Sequence, residues 1–159
     1  MPSLSENRFL RLIFLCALYM AQGLPFGFVT VGLHDYFLAD GKDPGEVARL
    51  ITFISIPWTL KFLWGPVIDR WTLRSMGRRR PWLILAQGIM VVVLLILAFA
   101  TNLHHSLTSL GWAILTLNIF IALQDVSTDG LAVDLIPESD RGKANGLMYG
   151  CSYLGSFIG

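Results

Sequence analysis

Charge is scarce in this sequence. Asp, Glu, Lys and Arg supply 14% of its 159 residues, against about 25% in an average soluble domain, which argues against a water-exposed globular surface. What charge there is nearly cancels: 12 Lys and Arg against 11 Asp and Glu leave +1, so no bulk attraction to nucleic acid is implied. Only two cysteines occur, Cys16 and Cys151, both inside apolar runs, which excludes a secreted disulfide scaffold. Collagen-like, disordered and coiled-coil compositions are absent too. What remains is apolar: 54% of residues, with a mean hydropathy of +0.60. That composition predicts an all-α polytopic membrane bundle, a single membrane domain over residues 1–159 embedded in the lipid bilayer.

A bilayer core about 30 Å thick needs roughly 20 apolar residues per helix. The runs that satisfy this are 9–33, 47–68, 81–101 and 110–136, with a fifth beginning at 144 and still apolar at Gly159. A polar, acidic loop is expected over 34–45. The first run continues well past the length of a signal peptide and reads as a membrane helix. From Ala144 to Gly159 the fifth run spans only about 24 Å at 1.5 Å per residue, so a fragment is expected, cut within a helix. Gly146 with Gly150, and Gly155 with Gly159, form small-xxx-small pairs that let another helix approach. Its partner is expected outside the chain or within it.

Lys and Arg alternate between the ends of these runs. Arg8 and Arg11, then Arg70, Arg74, Arg78, Arg79 and Arg80, then Arg141 and Lys143 lie on one side. Lys42 and Arg49 stand among four acids on the other, where the turn at His104 and His105 has no Lys or Arg. The positive-inside rule places the N-terminus in the cytoplasm. The paired histidines lack further ligands, so no metal and no cofactor are expected.

The fourth run carries the functional inference. Its apolar part ends at Leu123, and crossing the core takes Gln124, Asp125, Ser127, Thr128 and Asp129 into the bilayer. An unpaired carboxylate there costs on the order of 3 kcal/mol. At about 100° per residue, Asn118, Asp125 and Asp129 share a stripe roughly 40° wide, while Asp134 lies nearly opposite. One reading puts the stripe on a watery cavity, where a carboxylate exchanges protons. The other has the helix leave the membrane early, with these residues as solvated or salt-bridged packing. Asp134 reads as the structural partner of an arginine. Lys61 either snorkels to the headgroups or pairs with Asp125 or Asp129, with Pro57 and Trp58 marking a locally opened helix. In the first run, Gln22-Gly23-Leu24-Pro25-Phe26-Gly27 has the Pro and Gly of an interrupted helix, a form in which transporters expose backbone to substrate. Tyr19 and Gln22 are placed to line such a site, although Gly and Pro also serve packing alone.

Between the second and third runs stands Gly65-Pro66-Val67-Ile68-Asp69-Arg70, and then, after six residues, Gly77-Arg78-Arg79-Arg80. This resembles the signature of the major facilitator superfamily with an expanded loop. Together with Gln124-Asp125, Asp129, Asp134, Pro137-Glu138 and Arg141-Gly142, and with Gln22-Gly23-Leu24-Pro25, the chain resembles the muropeptide permeases and their acetyl-coenzyme A transporter relatives. The resemblance implies the N-terminal part, about five spans, of a carrier working by alternating access in the inner membrane, with small solute and protons as its cargo. In such a carrier the residue reading makes Asp125 the preferred coupling carboxylate and Asp129 the second, with Tyr19, Gln22, Lys61, Asn118 and Gln124 as the expected substrate lining, and the resemblance supplies the proton-driven import they would serve. It further implies a cytoplasmic latch of Asp69, Arg70, Gly77, Arg78, Arg79, Arg80 and Asp134. The latch would close on a missing C-terminal half, without which this chain would be a non-transporting piece. An enzyme is disfavoured: Asp125-x-x-x-Asp129 has the wrong spacing for a prenyl-diphosphate site, and Ser152 lacks the Gly-x-Ser-x-Gly setting.

Overall fold

The computed structural model describes residues 7–71, 76–99 and 107–159. The expected turn at His104 and His105, the end of the third run and residues 72–75 of the basic loop lie outside them. Every element within them is helical, as the composition predicts.

Helix α1 (Arg8–Gly27) starts where the Asn7 side chain accepts from the Phe9 and Leu10 N–H groups at 3.0 and 3.1 Å, satisfying two donors that the first turn leaves unpaired. Pro25 lies inside α1 without a backbone donor, and a π-helical turn, Phe28–Gly32, follows directly. Such a bulge keeps the chain helical past the lost hydrogen bond while shifting its face. α2 (Leu33–Ala39) then continues the rod. The expected loop at 34–45 is therefore helical up to Ala39, and the reversal is confined to the turn around Gly41, whose φ of 76° suits glycine. Asp43 accepts from the Glu46 N–H at 3.0 Å with Pro44 in the first turn, a strong helix start.

α3 (Pro44–Thr59) ends just after its internal Pro57, a 3-10 turn follows at Lys61–Leu63, and α4 (Trp64–Arg70) resumes. The second run is thus longer than 47–68 and broken in the middle. α5 (Arg80–Phe99), α6 (Leu107–Leu135) and, after a short 3-10 turn at Glu138–Asp140, α7 (Arg141–Ile158) complete the chain. Among the described residues, Arg8–Ala39, Pro44–Arg70, Arg80–Phe99 and Leu107–Leu135 are long and apolar enough to cross a membrane. α7 begins three residues earlier than Ala144.

α6 is the central helix, in contact with α1, α3, α4 and α5. Its Leu110, Ile114, Leu117 and Ile121 pack with Val29, Phe37, Ile54 and Met90 into one apolar core. Leu15, Tyr19, Ala132, Ile136 and Met148 form a second at the other end. Apolar burial drives neither strongly where lipid is as apolar as leucine, so close backbone fit must contribute. It does so between α1 and α7. A side-chain carbon on Gly23 would strike the Ser152 carbonyl, one on Gly27 the Ser156 carbonyl, and ones on Gly155 and Gly159 the carbonyls of Met20 and Leu24. Gly155 and Gly159 therefore find their partner helix within the chain, whereas Gly146 and Gly150 face open space. Gly23→Ala should lower the unfolding free energy by about 1–3 kcal/mol, as overpacking does, and Gly146→Ala should leave it unchanged. Denaturant titration in detergent reads both.

Candidate functional site

Lys61 stands in the joint between α3 and α4, its ammonium 2.9 Å from Asp125 Oδ2. The other oxygen, Oδ1, accepts from the Gln22 amide of α1 at 2.6 Å. Three elements thus meet on one carboxylate, which is 6% exposed at the residue level. One helical turn further along α6, Asp129 accepts from the Tyr19 hydroxyl. Tyr19 in turn meets Tyr149 of α7 edge to face, ring centroids 5.6 Å apart.

Of these groups Tyr19, Gln22, Lys61, Asp125 and Tyr149 form one wall of a cavity of about 460 Å³, whereas Asp129, expected on the same cavity, is not among its lining residues. Tyr19, Gln22, Phe26 and Thr30 come from the first rod, Ser55, Trp58 and Lys61 from the second, Asp125 from α6, and Tyr149, Ser152, Tyr153 and Ser156 from α7. Trp58 packs against Phe26 at 5.4 Å, and the Lys61 ammonium lies 5.5 Å from its ring. The surface offers aromatic faces, hydroxyls and one ion pair, a set that stacks on rings and holds polar substituents. Among the described residues no group of three His, Cys, Asp or Glu is placed to hold a metal.

The sequence-derived lining is placed unevenly. Tyr19, Gln22, Lys61 and Asp125 line the cavity. Asn118 and Gln124 do not. Asn118 is buried and accepts from the Trp58 indole N–H at 3.3 Å. Gln124 is fully buried and donates to the Leu18 carbonyl at 2.9 Å, because one residue before Asp125 is a turn of about 100° away, toward the α1 backbone. Ser127 and Thr128 return their hydroxyls to the carbonyls of Leu123 and Gln124. The α7 residues were missed. Their signal was a stripe at i, i+3, i+4 and i+7, Tyr149, Ser152, Tyr153 and Ser156, on one face of a helix.

A second charge cluster lies at the basic end. Arg79 Nε binds Asp134 Oδ2 at 2.7 Å, while Arg78 bridges Asp134 at 3.5 Å and Asp69 at 3.6 Å. The α4–α5 connection is thereby fastened to the end of α6. Gly77 adopts a φ of 80°, and Trp82 stacks on Trp71 with centroids 6.3 Å apart. Arg70 and Arg80 enter no ion pair among the described residues. Gly130 is a further member that the motif did not suggest: the Arg79 guanidinium lies over its Cα, where a side-chain carbon would collide.

Two changes test this geometry. Lys61→Met leaves a carboxylate unpaired and should cost about 3 kcal/mol, the low end for breaking a buried pair, since the Lys61 side chain is 43% exposed. Adding Asp125→Asn should recover most of it, as read by melting in detergent. Gly130→Val should displace Arg79 and raise proteolysis of the α4–α5 connection, with Arg79→Gln reproducing the effect.

Comparison with known proteins gives a consistent picture. The family described as Major Facilitator Superfamily matches residues 11–159. An uncharacterised protein of Haemophilus influenzae is 34% identical over 90% of this chain and 33% of its own length. An uncharacterised protein of Schizosaccharomyces pombe is 30% identical over 77% of the chain and 24% of its own length. The anhydromuropeptide permease of Escherichia coli is 29% identical over 80% of the chain and 26% of its own length. The chain thus spans between a quarter and a third of these relatives. No solved structure matches it.

Proposed function

The chain belongs to the major facilitator superfamily, and from that premise we propose that it forms the N-terminal portion of a proton-coupled solute carrier working by alternating access. The observation that carries the reading is Asp125, whose two oxygens tie α1 and the α3–α4 joint to α6 at the wall of a cavity. Ionised, it holds the Lys61 ammonium and the Gln22 amide. Protonated, it loses the ion pair with Lys61, and its bond from the Gln22 amide becomes a neutral one, roughly half as strong as a charge-assisted one. Lys61 is then released at a break in its helix, where α3 and α4 are able to pivot. Asp129, one turn nearer the basic end, is the second coupling carboxylate, with Tyr19 as its donor.

The solute is a small one of the muropeptide type. Support comes from the name of the Escherichia coli relative and from the lining itself. Trp58, Phe26, Tyr149 and Tyr153 provide faces for a sugar ring, the serines provide hydroxyls, and a free Lys61 provides a counter-charge for a carboxylate. The remaining spans, corresponding to the further length of the relatives, complete the site from the opposite side. The protein is multi-pass. Its Lys and Arg distribution supports an inner-membrane orientation with the N-terminus and the Asp69–Asp134 cluster in the cytoplasm, where the cluster acts as the latch between halves.

Uptake of labelled anhydromuropeptide by the complete carrier in proteoliposomes, with and without an imposed proton gradient, tests the proposal. Asp125→Asn should lose at least tenfold in gradient-driven uptake while retaining solute exchange, and Asp129→Asn should lose less. Unchanged proton dependence in both variants would contradict it.

A further inference from the structure

At the basic end, away from the cavity, lies a cleft of about 140 Å³ between the start of α1, the end of α6 and the start of α7. Arg8, Arg11 and Lys143 line it, with Asp140 as the one carboxylate. Asp140 is engaged by Arg8 at 3.4 Å. Arg11 is different. It is 9% exposed, its guanidinium has no hydrogen bond or ion pair among the described residues, and its buried Nε is left unsatisfied. The neighbouring Arg141, by contrast, donates to the carbonyls of Val133 and Ile136 at 3.2 and 3.3 Å and so closes the end of α6.

A buried, unpartnered guanidinium is costly, and an anion is the group that answers it. We propose that this cleft binds the phosphate of an anionic phospholipid. Three cations face one already paired carboxylate, and the amino end of α7 adds its positive dipole. The walls identify a lipid rather than a soluble anion. Leu12, Ile136, Ala144 and Leu147 line the same cleft, and Leu147 is 55% exposed, so the cations share the site with an apolar wall that suits the glycerol and acyl portions. Basic pockets between membrane helices at a headgroup level recognise anionic lipids in this manner. Such a lipid bridges the first helix to the α6–α7 turn, complementing the glycine contacts between α1 and α7.

The test uses the purified protein in detergent, with lipid retention read by native mass spectrometry and stability by thermal melting. Phosphatidylglycerol, phosphatidylcholine and inorganic phosphate are added separately at equal phosphate concentration. Phosphatidylglycerol should be retained and raise the melting temperature, and the other two should give little of either. Arg11→Gln should weaken phosphatidylglycerol binding about tenfold, the worth of a charge-assisted contact. Lys143→Gln, on the exposed rim, should weaken it about fivefold while melting like wild type without added lipid. Wild-type retention in both variants, or an equal gain from inorganic phosphate, overturns the proposal.

Discussion

An ionised carboxylate inside a membrane bundle imposes a condition on everything around it: each oxygen needs a donor, and water-filled or protein surroundings must replace the hydration it has lost. Asp125 meets that condition with a lysine from one rod and a glutamine from another. The arrangement fixes three helices relative to one another through a group whose charge is removable. In the proposed carrier, this is the bond that would link proton movement to a change of shape.

The remaining architecture serves that point. Glycines at 23, 27, 155 and 159 bring α1 and α7 to backbone contact, and this closeness lets Tyr149 reach Tyr19 and so reach the Asp129 site. The break at Lys61–Leu63 lies where the Lys61 side chain extends to Asp125 of α6. At the basic end, Asp134 gathers Arg78 and Arg79 against α6, separate from the cavity and on the opposite face of the helix from Asp125.

Hydrophobic run length made the membrane helices legible, because the bilayer thickness sets a length that sequence alone reveals. The shared face of Asp125 and Asp129 followed from the helical period. What it did not reveal were the choices made in three dimensions. Lys61 was open between headgroup and carboxylate, since a flexible four-carbon stem reaches either. Gln124 was expected in the lining as part of the Gln124-Asp125 motif, yet a turn of about 100° from Asp125 sends it to the Leu18 carbonyl. The helical extension to Ala39 was hidden by the polar residues His34 and Asp35, whose composition resembles a loop although they ride on an uninterrupted helix. The α7 stripe was present as a helical period, but which helices it meets, like the approach of Arg79 to Gly130, is encoded by no local pattern.

The account rests on Asp125 facing a hydrated protein interior. The most direct measurement places a cysteine at that position, Asp125→Cys, in a background with Cys16 and Cys151 replaced by alanine, and compares a charged membrane-impermeant thiol reagent with a lipid-soluble one. A cysteine at Val91, which is exposed on α5, serves as the lipid-facing control. The account predicts rapid modification of position 125 by the charged reagent and none at position 91. Modification of position 125 by the lipid-soluble reagent alone, at the rate of the control, would contradict it.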